Sequence, residues 1–128
     1  MAGEGQSHKI LIIEDDNLLS NLYFRLFEKA GFSVVVAHDG EEGYKLATEN
    51  HPDFILLDNM LPKINGIEVL KLIKGDDKTK DIPVMMLSNL AFKEEKEQAI
   101  AHGAVDYLSK AGQAPEVIVK KVNEYLTK

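Results

Sequence analysis

The sequence predicts a doubly wound α/β domain: a (βα)5 chain forming a five-stranded parallel sheet with helices on both faces. Two observations carry this expectation. Five short apolar runs recur along the chain, each closed by a turn signal and followed by a stretch of helical period. The runs do not alternate apolar with polar residues, which is the pattern of strands buried on both faces beneath covering helices. A length of 128 residues falls within the usual size of one domain, roughly 100–150 residues, and can bury a core without staples. With no linker, low-complexity tract or internal repeat, the domain is expected over 9–128, behind a polar tail at 1–8.

Each element has its own signal. The first run, Ile10-Leu11-Ile12-Ile13, stops at Glu14-Asp15-Asp16. From Asn17 to Lys29, Leu18, Leu19, Leu22, Tyr23, Leu26 and Phe27 form one helical stripe, with Asp16 as N-cap and Gly31 just past the C-terminus. Ser33 to Ala37 is the second strand, ending at Asp39-Gly40, with Asp39 capping a helix from Glu41 to Glu49. Phe54-Ile55-Leu56-Leu57 is closed by Asp58, and Asn65 caps a helix from Gly66 to Lys74. Val84 to Leu87 ends at Ser88-Asn89, before a helix from Lys93 to His102. Ala104 to Leu108 ends at Ser109-Lys110, and Pro115 suits the first turn of a helix running to Leu126.

Composition excludes several functions. The chain has no cysteine, so disulfides, thiolate zinc sites, iron–sulfur clusters and cysteine nucleophiles are ruled out; this fits a cytoplasmic protein. The formal charge of −6 and a pI near 5.2 argue against direct nucleic-acid binding. No uncharged apolar run approaches the ~20 residues that span a bilayer, and the N-terminus lacks the apolar segment of a signal peptide. His8, His38, His51 and His102 share no spacing suited to a transition metal. Lys71, Lys74, Lys78 and Lys80 are interleaved with acids and read as a solvated helix end and loop. The last helix has more apolar residues than one stripe needs, and the excess suggests a partner-binding face.

In a doubly wound sheet the functional crevice lies outside the carboxyl ends of the strands. The residues at those ends are Glu14, Asp15, Asp16, Asp58, Ser88 and Lys110. Taken singly, each has an ordinary explanation: Asp16 as an N-cap, Ser88 as a turn residue, Lys110 as a solvated lysine. Taken together they are harder to dismiss. Clustered carboxylates repel unless a cation sits among them, and hard oxygen ligands without thiol or imidazole favour Mg2+, with Mn2+ as a substitute. A carboxylate nucleophile, a hydroxyl donor and an ammonium group complete the parts for phosphoryl transfer onto an aspartate.

The stretches Ile10–Asp16, Phe54–Pro62, Asn65-Gly66, Met86–Ser88 and Gly103–Lys110, in this order, resemble the receiver domain of bacterial two-component response regulators. The resemblance covers the chain from Lys9 to Leu126. It implies a flavodoxin-like fold and a phosphoacceptor role for Asp58, supplied by a histidine kinase or phosphotransfer protein. Asp15, Asp58 and the backbone carbonyl of Met60 would bind Mg2+ directly, and Glu14 would act through a water. Lys110 would pair with Asp58 and then with the phosphoryl group. Ser88 would donate to a phosphoryl oxygen, and Tyr107 would be the aromatic switch swinging inward behind it. The shift would bias a face built from helix four, strand five and helix five, through which an output protein or fused effector domain, or a second copy in an activated dimer, would bind.

Two residues depart from the family pattern. Ala111 follows Lys110 where proline is common, so a cis bond there loses its usual cause. Asn89 follows Ser88 where a smaller residue is common, and would crowd the phosphoryl group. Three other readings compete. An aspartate-nucleophile phosphohydrolase needs a second aspartate two residues after the first, and here Met60 stands there, so no turnover enzyme is expected. A flavin-binding module needs a phosphate-cradling loop after the first strand, where Glu14-Asp15-Asp16 would repel the phosphate. The third is a phosphorylation-independent interaction domain of the same fold. Because the sequence ends at Lys128, it reads as a receiver without an output domain.

Overall fold

Parallel pairing brings the five apolar runs into one sheet of order β2-β1-β3-β4-β5. The computed structural model describes residues 8–89, 93–111 and 113–127. Strands and helices alternate: β1 (Lys9–Ile13), α1 (Asn17–Lys29), β2 (Ser33–Ala37), α2 (Gly40–Asn50), β3 (Phe54–Asp58), α3 (Gly66–Lys74), β4 (Val84–Ser88), α4 (Lys93–Ala101), β5 (Asp106–Ser109) and α5 (Pro115–Leu126). The doubly wound prediction therefore holds. Of the predicted tail, positions 1–7 lie outside the described residues, whereas the His8 carbonyl accepts from the Ser33 amide at 2.8 Å.

Strand pleat divides the core into two layers, because successive side chains point to opposite faces. Leu11, Ile13, Ile55, Leu57, Val84 and Met86 pack with Ala47 of α2, Val69, Leu70 and Ile73 of α3, and Ala99 of α4. Ile10, Ile12, Phe54, Leu56, Met85 and Leu87 pack with Tyr23 and Phe27 of α1 and Ile118 and Val122 of α5. β1, β3 and β4 lie inside the sheet, which is why their runs carry no polar alternation.

The predicted caps form. Asp16 accepts from the Leu18 and Leu19 amides at 2.9 and 3.1 Å, Asp39 from Glu42 at 2.8 Å, and Asn65 from Glu68 at 3.0 Å. At the C-terminus of α1, Gly31 has φ +98°; its amide bonds Glu28 O at 3.0 Å, and the Phe32 amide bonds Phe27 O at 3.0 Å. This is a Schellman turn, in which the left-handed residue favours glycine.

A second Schellman turn explains the late start of β5. Gly103, φ +105°, donates to Ile100 O at 3.0 Å, and the Ala104 amide donates to Ala99 O at 2.9 Å. Ala104 thus closes α4, and β5 begins at Asp106 rather than Ala104. Three strands, β3, β4 and β5, also end one residue later than predicted, since Asp58 pairs with Leu87 and Ser88 with Ser109. Lys74 is not the solvated residue expected of its stretch. Its ammonium donates to the carbonyls of Ile82 at 2.6 Å and Lys80 at 3.0 Å, and burial lowers its pKa. No cis peptide occurs among the described residues, in keeping with Ala111 after Lys110. The loop there includes Gly112, which lies outside them.

Candidate functional site

β1 and β3 are neighbours at the point where the strand order reverses, so their carboxyl ends open a crevice between loops that turn to opposite faces. Carboxylate oxygens of Glu14, Asp15 and Asp58 there lie within 4.8 Å of one another. Glu14 and Asp58 are 2% and 3% exposed, whereas Asp15 is exposed. β4 and β5 bring Ser88 and Lys110 to the same edge, where the Lys110 amide donates to Ser88 O at 2.7 Å.

Lys110 braces the cluster. Its ammonium lies 3.1 Å from Asp58 Oδ2 and donates to Glu14 Oε1 at 2.8 Å. The shorter contact is to Glu14, a ranking that spacing along the sequence cannot supply for two carboxylates at one edge. The other oxygens have backbone donors: the Asp16 amide to Glu14 Oε2 at 3.1 Å, and the Met60 amide to Asp58 Oδ1 at 3.2 Å. Met60 thus reaches the site through its backbone, and its side chain is exposed.

The charges do not balance. Burial raises the Glu14 pKa to about 7; the Lys110 hydrogen bond opposes this and the Asp58 charge adds to it. Burial works against the Lys110 charge as well, but the Glu14 hydrogen bond and both carboxylates outweigh it and raise its pKa. One ammonium among three carboxylates leaves a deficit of positive charge. The donor set is all oxygen, with no thiol or imidazole in the cluster, which is compatible with a hard divalent cation.

Tyr107 of β5 is turned inward and is 1% exposed. Its phenol oxygen is hydrogen-bonded to Ser88, accepts from Asn59 Nδ2 at 3.4 Å, and donates to Glu95 Oε1 at 3.3 Å. Asn89 is exposed, and its carbonyl accepts from Ser109 Oγ at 3.4 Å. Glu14, Asp15, Asp58 and Lys110 are thus brought together, the Met60 backbone meets Asp58 through its amide where its carbonyl was the expected ligand, and Ser88 stands at the same sheet edge. Three further residues were not singled out: Asn59, Glu95 and Tyr23. Tyr23 lines a small gap at the carboxylates together with Glu14, Asp58, Ile12, Leu56 and Leu87. Burial, with the Glu14 and Asp58 charges, pushes its phenol up to about 12. Helical period correctly made Tyr23 a core residue, but could not show that this part of the core lies at the crevice.

Fold and site define a doubly wound α/β domain with an acidic, lysine-braced crevice at its topological switch point. The chain matches the model of the response regulator receiver domain family over residues 10–123, and it belongs to that family. It is 42% identical over 112 residues to the DNA-binding dual master transcriptional regulator RpaA of Synechocystis, covering 88% of this chain and 46% of the relative. The chain thus spans about half the length of that relative. It is 35% identical to the polar-differentiation response regulator DivK of Brucella ovis, covering 91% of this chain and 94% of DivK. Among solved structures, the Francisella response regulator 1452 receiver domain superposes with a TM-score of 0.87 at 30% identity, over 94% of this chain and 98% of that one. Vibrio cholerae CheY4 gives 0.86 at 27% identity, over 92% and 98%. The fold is the flavodoxin-like α/β fold of CheY. Receiver domains of this family interact with kinases and output domains in two-component systems. No helix among the described residues is long and apolar enough to cross a membrane.

Proposed function

We propose that this chain is a phosphoacceptor receiver in which Asp58 takes a phosphoryl group from a phosphohistidine and so changes affinity for a partner. The observation that carries this reading is the bracing of buried Asp58 by Lys110 at 3.1 Å within a cluster of three carboxylates. One Asp58 carboxylate oxygen attacks phosphorus, an acyl phosphate O–P bond forms, and the donor's N–P bond breaks with the electron pair returning to imidazole. Lys110, 3.1 Å from Asp58 Oδ2, holds the carboxylate oriented, then pairs with the incoming oxygens. Ser88, on the neighbouring strand, supplies a hydroxyl donor to them. Asp15, Asp58 and the Met60 carbonyl would hold Mg2+, with Glu14 acting through a water. A bound Mg2+ supplies charge neutralisation for the phosphoryl oxygens.

The chain modifies itself and turns over no separate substrate, since Met60 stands where a phosphohydrolase would place its general acid. The kinase or phosphotransfer donor, the output partner on the α4–β5–α5 face and a cytoplasmic location belong to the same reading. Intact mass after incubation with acetyl phosphate and Mg2+ tests it. One added phosphoryl group is expected, absent from Asp58→Asn and from a chelator control. If neither acetyl phosphate nor beryllofluoride loads the wild type, the reading gives way to a phosphorylation-independent interaction domain.

A further inference from the structure

A phenol has one proton to give and two lone pairs to receive with, and Tyr107 uses all three: it donates to Glu95 and is bonded by Asn59 and Ser88. The three partners come from different places. Asn59 directly follows Asp58 at the end of β3, and its backbone is pinned on both sides, with its amide on Leu87 O at 2.8 Å and its carbonyl on the Gly66 amide at 2.9 Å. Glu95 lies in the first turn of α4, half-buried, on the element that β5 packs against. Ser88 is the only one of the three that the phosphoacceptor chemistry also requires.

A serine hydroxyl has a single proton, so it cannot serve the phenol oxygen and a phosphoryl oxygen together. When Ser88 turns to the phosphoryl group, Tyr107 keeps Asn59 as donor and Glu95 as acceptor. We propose that Glu95 and Asn59 are positioning residues for Tyr107, holding the ring inward before any phosphoryl group arrives and when Ser88 turns to it. This rests on the phosphoacceptor reading for Ser88; the preset position of the ring does not. At 3.3 and 3.4 Å both bonds are long, so each biases the ring modestly and neither locks it.

The test labels the protein with 3-fluorotyrosine, assigns the Tyr107 resonance by Tyr107→Phe, and reads exposure from the solvent isotope shift in H2O and D2O. In the metal-free wild type the shift is expected to be small and to stay small when Mg2+ and beryllofluoride, a phosphoryl mimic, are added. Glu95→Ala is expected to enlarge it in the metal-free protein. The same variant should weaken beryllofluoride binding roughly three- to tenfold, as expected when the competent conformer falls to a minority, while Mg2+ affinity stays unchanged. Glu95→Gln keeps an acceptor and should behave as wild type, and Asn59→Ala should shift in the direction of Glu95→Ala.

An exposed Tyr107 in the metal-free wild type would overturn the proposal. So would a Glu95→Ala protein whose isotope shift and beryllofluoride affinity both match wild type within twofold. If the wild type takes up no beryllofluoride, the phosphoacceptor reading falls, and the metal-free isotope shifts alone decide whether Glu95 and Asn59 position the ring.

Discussion

Replacing Lys110 with methionine keeps most of the side-chain stem and removes the ammonium that contacts both Glu14 and Asp58. Each carboxylate is then left with one backbone donor, at 3.1 and 3.2 Å, and both remain 3% exposed at the side chain. Removing one partner from a buried ion pair costs about 3–5 kcal/mol, because the remaining charge stays buried and uncompensated. Here the loss is tempered, since the acidic pair can take up a proton and Glu14 already holds one up to about pH 7. The metal-free variant is therefore expected to lose about 3 kcal/mol at pH 8, roughly 10 °C in Tm, and only about 1 kcal/mol at pH 6. Urea unfolding in EDTA at the two pH values measures both losses. Saturating Mg2+ should stabilise the variant more than the wild type, because the cation no longer competes with an ammonium. Equal losses at both pH values, or less than about 1 kcal/mol at pH 8, would refute the claim that Lys110 balances two buried carboxylates.

Other consequences can be checked as directly. Folding raises the Glu14 pKa from 4.5 to about 7, so the native state binds the extra proton and metal-free stability falls as pH rises between those values, by up to about 3 kcal/mol; Glu14→Gln should flatten that slope in urea titrations. A Cβ at Gly66 would stand 2.5 Å from Asp58 O and 2.6 Å from Asn59 Cα. Both are backbone atoms that cannot step aside, so Gly66→Ala should cost about 2–4 kcal/mol by denaturant midpoint and slow phosphorylation by displacing Asp58. Asp16→Ala removes two cap bonds at the start of α1 and should cost about 1 kcal/mol in thermal unfolding, with the final extent of phosphorylation unchanged.

Much of this molecule was legible in its sequence because burial on two faces leaves a simple mark. Ile10–Ile13, Phe54–Leu57 and Val84–Leu87 are internal strands and read as unbroken apolar runs. The strand ends then located the crevice, since topology alone carries Glu14, Asp58, Ser88 and Lys110 to one edge. The boundaries misread have a local cause: the run from Ala104 hides a Schellman turn, whose apolar residue packs at the helix end as readily as in a strand. Illegible were the contacts chosen among equivalent groups. Nothing in the sequence ranks Glu14 above Asp58 as a partner for Lys110, or ties Glu95 and Asn59 to Tyr107, because each requires the distance between side chains on separate elements. The excess apolar residues of α5 split in the same way: Val119, Tyr125 and Leu126 pack on the core, and Val117 is left at the surface.

The charge count at the crevice links its stability to its proposed chemistry. Three carboxylates and one ammonium sum to two excess negative charges when all are ionised, and burial, with the Asp58 charge adding to it, raises the Glu14 pKa against that state. A proton on Glu14 relieves half of the excess and a divalent cation would relieve all of it. Below about pH 7 the two therefore compete, and the apparent Mg2+ affinity is expected to fall toward tenfold per pH unit. Calorimetric Mg2+ titrations from pH 6 to 8 measure this. A flat profile would mean that Glu14 keeps its proton in the bound state and takes no part in holding the cation. A slope that disappears in Glu14→Gln would assign the displaced proton to Glu14, and would make the same buried carboxyl the source of both the stability loss and the cation affinity.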